Sequence, residues 1–190
     1  MKAGRGAVVL LAGALLSACS TPSGRDEAAG DDARLAVALC AALRDQTNDL
    51  GRVANQAVAG ISDQPPDERY SSILAGFDQA QQVAKAFRAS IGSLELPEVA
   101  ETADLRDQVA EGAAIAVDEL VRERVAFEGE GATVSDEDIQ GRVGAFFNSI
   151  EKVLSVVEPS IAGYARRPLQ QAFLEEPTCR HVIQPFRLED

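Results

Sequence analysis

Three cysteines and one histidine are the side chains best equipped for chemistry in this 190-residue chain: Cys19, Cys40, Cys179 and His181. A thiolate can attack an acyl group, ligate a metal or close a disulfide, and an imidazole can serve as base or ligand. Number and spacing argue against most of these uses. One histidine leaves no pair for a two-histidine metal site within a chain, and the Glu-x-x-His pairs of di-iron helical proteins are missing. No Gly-x-Ser-x-Gly elbow and no glycine-rich phosphate loop occurs. The carboxylate pairs Glu175–Glu176 and Asp136–Asp138 read as solvated faces or helix caps rather than acid–base dyads. Without tryptophan and with few aromatics, sugars and nucleobases have little to stack on. The expectation is a protein that is not an enzyme and takes no cofactor and no metal.

Cys19 stands apart from the other two cysteines. It closes a segment that begins with Lys2 and Arg5 and continues through an apolar stretch at 7–16. A charged start, a short apolar run and small residues before a cut site make a secretory signal peptide, here 1–18. The run is far shorter than the roughly 18–20 residues of a membrane-spanning helix. Its last four residues, Leu16-Ser17-Ala18-Cys19, resemble the lipobox of bacterial lipoproteins. That resemblance covers the first nineteen residues only. It implies cleavage before Cys19, a diacylglyceryl group on its sulfur, and residence at the cell membrane on the extracytoplasmic side. Two acyl chains hold a protein durably, at about 0.8 kcal/mol per buried CH₂.

With Cys19 lipidated, two cysteines remain. Outside the cytoplasm, Cys40 and Cys179 are most simply a disulfide, closing a loop that spans nearly the whole mature domain. In the chain-entropy description such a loop contributes on the order of 4–5 kcal/mol. Two free thiols, or a bond between chains, stay open as alternatives.

Loss of 1–18 removes Lys2 and Arg5, leaving 16 basic against 30 acidic residues and a net charge of −14. So acidic a surface argues against nucleic acid as a partner and is read first as solubility. About 170 residues is the length of one domain with a real core. The alanine-, valine- and arginine-rich usage with little lysine suggests a high-GC bacterial source, actinobacterial in character.

Residues 20–32, STPSGRDEAAGDD, are small, polar and aperiodic, and predict a flexible tether of roughly 20 Å. Behind it, four helical seams follow. Ala36, Cys40, Leu43, Thr47, Leu50, Ala54, Ala57 and Ile61 alternate steps of four and three over 33–61. Pro65-Pro66 breaks that pattern. Tyr70, Ile73, Phe77, Ala80, Ala84, Phe87, Ile91 and Leu94 mark a second helix, with Leu74 beside them. Leu96-Pro97 opens a third, whose buried side is Val99, Leu105, Val109, Ala113, Ala116, Leu120 and Phe127. After the turn at Gly129–Gly131 come Val134 and Ile139, placed as a hydrophobic staple around Ser135 as cap and Asp138 at the capping-box position. The fourth seam is Ile139, Val143, Phe146, Ile150, Val153, Val157 and Tyr164, with a kink or break expected at Pro159.

Short connections between long helices predict an all-α fold: an antiparallel up-down four-helix bundle clamped by one disulfide, over 33–190, after the signal peptide and tether. In that topology Cys40 and a tail bearing Cys179 meet at one end. Arg166, Arg167, Arg180 and Arg187, with His181, form a candidate basic patch at the same end, facing the membrane. The expected role is a membrane-anchored interaction or adaptor module with a protein partner, docking through Val37, Val58, Val117 and Val121. The alternative is a carrier holding a lipid or other apolar molecule between helices, opened by Gly112–Ala116 and Pro159.

Overall fold

The computed structural model describes residues 24–94, 100–162, 171–173 and 175–179. Cys19, the tail arginines, His181, Val99 and Tyr164 lie outside them, and so does the side chain of Val157. The described chain is helical and contains no strand. It comprises α1 (Gly24–Val58), a 3₁₀ turn (Ile61–Asp63), α2 (Pro66–Gly92), α3 (Ala100–Gly129) and α4 (Ile139–Ala162).

Helix α1 is longer than its apolar seam. Residues 24–32, expected as coil, are helical, so α1 has 35 residues, about 52 Å of helix. Alanine and acidic residues near a helix start favour this over coil, through propensity and the dipole. The helix stops where Gly60 takes φ 67°, a left-handed conformation that glycine adopts without a Cβ penalty. Asp63 N–H then donates to Gly60 O at 3.0 Å and closes the 3₁₀ turn. Pro66 begins α2, where its missing N–H is not needed.

Consecutive helices pack against one another along their length, while α1 and α4 touch little. The buried side chains fall into two clusters. One joins Leu35, Leu39, Cys40 and Leu43 of α1 to Phe87 and Ile91 of α2, Leu105 and Val109 of α3, and Phe173 and Cys179 of the C-terminal segment. The other joins Leu50, Val53 and Ala57 to Ile73 and Phe77, then to Leu120 and Phe127, and finally to Phe146, Ile150 and Val153 of α4. Among the described residues beyond α3, Phe173 and Cys179 of the C-terminal segment belong to the first cluster.

In the second cluster Phe77 meets Phe146 edge-on at 4.9 Å, and Tyr70 stacks on Phe127 at 5.4 Å. Gly76 permits this convergence. A Cβ there would lie 2.6 Å from Ala57 Cβ and 2.8 Å from Phe146 Cζ, so α1, α2 and α4 approach at a spot with no room for a methyl group.

The start of α4 follows the sequence signal in part. Asp138 N–H donates to Ser135 Oγ at 3.2 Å, as a cap requires. The reciprocal bond is different: Ser135 Oγ donates to Asp138 Oδ2 at 2.7 Å, because aspartate is one methylene short of reaching back to the cap amide. Val134 and Ile139 are both buried in the second cluster. Of the kink or break expected at Pro159, the helix shows no break: α4 continues to Ala162.

Candidate functional site

The cysteine pair is closed. Cys40 and Cys179 are disulfide-bonded with Cα atoms 5.0 Å apart across a sequence separation of 139. The tail reaches Cys40 by a compact turn in which Cys179 N–H donates to Glu176 O at 3.1 Å and Thr178 N–H to Glu176 Oε1 at 3.0 Å. The Thr178 bonds hold the Glu176 carboxyl below the usual carboxylate range. One turn earlier, Phe173 inserts into the first cluster.

The valines singled out from sequence do not make one patch. Val37 and Val121 are exposed, but on the first half of α1 and the second half of α3. Val58 and Val117 are half-buried against the second cluster. The exposed apolar residues of α3 are instead Ile115, Val121 and Val125, of which the last two are four apart on one face. Gly112, Ala113 and Ala116 are buried.

Three polar residues, Arg69, Gln46 and Ser149, take core positions that the seams did not assign to them, and the first two bear on the surroundings of a site. The first is Arg69, 5% exposed. Its Nε donates to Ile61 O at 3.0 Å, its Nη2 to Ser62 O at 2.9 Å and its Nη1 to Val134 O at 3.2 Å. Nη1 also pairs with Asp136 at 2.6 Å. One guanidinium thus ties the 3₁₀ turn and the α3–α4 connection to the first turn of α2, beside a bond from Val134 N–H to Pro66 O at 2.9 Å. Its place four residues before Ile73 and eight before Phe77, on the apolar face of α2, is a signal the sequence carried.

The second is Gln46, and here the seam of α1 needs correction. Thr47, assigned to the buried side, is exposed and donates its hydroxyl to Leu43 O at 2.9 Å. Gln46 is buried in its place, at 4% exposure. The buried stripe steps through Leu39, Leu43, Gln46, Leu50 and Val53, which places Gln46 and not its neighbour Thr47 on the packed side. Both amide atoms, Nε2 and Oε1, are shut off from solvent without a hydrogen-bond partner. A buried polar group left so costs about 1–3 kcal/mol.

Gln46 lines a groove of about 590 Å³ between α1 and α2. Ala42, Asp45 and Asp49 flank it on α1, and Gln82, Val83, Ala86, Phe87 and Ser90 face it from α2. Of these, Phe87 is buried, Ala42 and Val83 are half-buried, and the carboxylates of Asp45 and Asp49 are exposed. Their partners are exposed arginines of the same helix, Arg44 on Asp45 at 2.8 Å and Arg52 on Asp49 at 3.0 Å. Such pairs are worth little and exchange readily. Among the described residues no cluster of three or more His, Cys, Asp and Glu is arranged to hold a metal, and no helix is long and apolar enough to cross a membrane.

A disulfide-closed helical domain with a polar-rimmed groove is the class these features define. No protein-family model matches the chain, and no curated protein or solved structure shows significant similarity to it.

Proposed function

We propose that the chain is an envelope lipoprotein, held through lipidated Cys19 at the extracytoplasmic face of the cell membrane. Its antiparallel up-down four-helix bundle is a non-enzymatic protein-interaction or adaptor module. The observation that carries the reading is the closed Cys40–Cys179 pair. Structural disulfides persist in oxidising compartments, and the segment ending in Leu16-Ser17-Ala18-Cys19 is the address that would deliver the domain to one. The composition of the two clusters supports the topology. The first half of α1 meets the second half of α2 and the first half of α3, as alternating helix directions require.

The length of α1 sharpens the picture. Only 20–23 separate the lipidated residue from its first turn, so the disulfide end of the bundle stays near the bilayer. The exposed Val121 and Val125 offer a docking face on α3. An apolar carrier is the weaker reading, because the α1–α2 groove has an acidic rim and a buried amide where lipid cargo would want hydrocarbon.

Native mass spectrometry of the full chain extracted from its own membrane tests this. The expected mass begins at Cys19, carries a diacylglyceryl group and includes a stoichiometric second protein that Val125→Asp releases. An unlipidated soluble chain overturns the anchor, and a bare lipidated monomer overturns the adaptor.

A further inference from the structure

The buried apolar residues divide between the two clusters at one level of the helices. On α1 the division falls between Leu43 and Leu50, on α2 between Ala84 and Phe87, and on α3 between Ala113 and Ala116. Three separate features meet at that level. The residue that α1 buries there is Gln46, whose Nε2 and Oε1 are sealed without a hydrogen-bond partner. The residues that α2 and α3 bury there are small: Ala84, Gly112, Ala113 and Ala116. The groove between α1 and α2 is cut at the same height, from Ala42 to Asp49 on one helix and from Gln82 to Ser90 on the other.

Each feature loosens the coupling between the clusters. Alanine presents one methyl group where leucine or phenylalanine would reach across, so dispersion attraction over the division is weak. A sealed amide without partners costs free energy only while it stays sealed, and an opening that admits water recovers that cost. The groove leaves the same stretch of the α1–α2 contact without a filling layer.

The two sides are also held differently. In the second cluster Phe77 packs on Phe146 and Tyr70 on Phe127, and Arg69 gathers three carbonyls beside them. In the first, the disulfide and Phe173 fasten the C-terminal segment to α1. A covalent bond limits how far that half can part, but it does not fix the packing of its side chains.

We propose that the level of Gln46 is a built-in break in cooperativity. With the Cys40–Cys179 bond closed, the disulfide half of the domain opens to water while the aromatic half stays folded, and the sealed amide favours that opening. Val121 and Val125 lie on α3 beyond Ala116, on the half that stays folded, so a partner docked there is not released when the other half yields. Only this consequence rests on the adaptor reading; the break itself does not.

The test is native-state amide hydrogen exchange on the full oxidised chain, across a urea series below the unfolding transition. The amides of Leu39, Leu43 and Val109 report on one half, and those of Phe77, Leu120 and Phe146 on the other. After correction for intrinsic rates, the first set exchanges at least about tenfold faster, with a shallower dependence on urea, because opening one half exposes less surface than global unfolding. Gln46→Leu, with Gln46→Met as a second variant, slows the first set by about tenfold. Ile150→Val, in the aromatic half, speeds the second set by about threefold to tenfold and leaves the first set unchanged. One shared rate and urea slope for all six amides overturns the proposal. So does a first set that ignores both Gln46 variants, or an Ile150→Val that speeds both sets alike. None of these measurements involves a lipid or a partner, so their failure leaves the mass-spectrometric test of the adaptor reading untouched, and the reverse also holds.

Discussion

Opening the Cys40–Cys179 bond is expected to release the C-terminal segment and uncover the first apolar cluster, leaving the second intact. The loop it closes has a sequence separation of 139, for which the chain-entropy relation gives about 5 kcal/mol at 25 °C. In a domain of this size that corresponds to a fall of about 10–20 °C in melting temperature. The local balance predicts where the loss appears. Of the tail, Phe173 and Cys179 are buried in the cluster, and a buried Phe contributes only about 1.5–3 kcal/mol. Ordering each backbone residue from 171 to 179 costs about 1–2 kcal/mol, so without the covalent bond the segment does not stay down. The assay is hydrogen exchange and dye binding on oxidised protein, reduced protein and the Cys40→Ala/Cys179→Ala variant. Amides of 171–179 and the first half of α1 lose protection, amides around Phe77 and Phe146 keep it, and binding of a hydrophobic dye rises. A melting temperature within about 3 °C of the oxidised protein, or a tail still protected after reduction, refutes the reasoning.

Three further outcomes follow from single contacts. Gly76→Ala, which in an ordinary helix interior stabilises by about 1 kcal/mol, destabilises here by about 1–3 kcal/mol in chemical denaturation, because its Cβ meets Ala57 and Phe146. Arg69→Lys loses most of the fork that binds three carbonyls and costs about 2–4 kcal/mol, whereas Asp136→Asn costs at most about 1 kcal/mol, its side chain being 91% exposed; equal costs would assign the pair, not the carbonyls, as the anchor. Glu176 is held below the usual carboxylate range by Thr178, so its contribution is present above the unfolded-state pKa and lost as pH falls through the folded one; amide exchange at 176–179 accelerates across that acid window in the wild type and shows no such step in Glu176→Gln.

Periodicity located the helices because the apolar residues of α2 and of α4 recur every three to four positions and tolerate one register only. Ile73, Phe77, Ala80, Ala84, Phe87 and Ile91 were all legible as buried before any coordinates. The cysteine pairing was legible for a different reason: with Cys19 set apart by the lipobox-like residues before it, two thiols remain. The groove was not legible. In α1 the small residues Ala36, Ala54 and Ala57 fit either of two adjacent stripes, and the alternating four-three count chose Thr47 over Gln46. Burying glutamine also runs against its transfer free energy, so composition argued for the wrong neighbour.

By itself, the order of residues determined the helical class, the break at Pro65–Pro66 and the staple around Ser135, since each rests on local backbone preference or short spacing. Tertiary structure alone decided that the C-terminal segment completes the first cluster, that Arg69 gathers carbonyls from two distant turns, and that Gln46 is sealed beside the α1–α2 groove. These depend on the distance between helices and on which stripe of each one faces its neighbour. Such quantities are set by the packing of many side chains at once, and no window of sequence contains them.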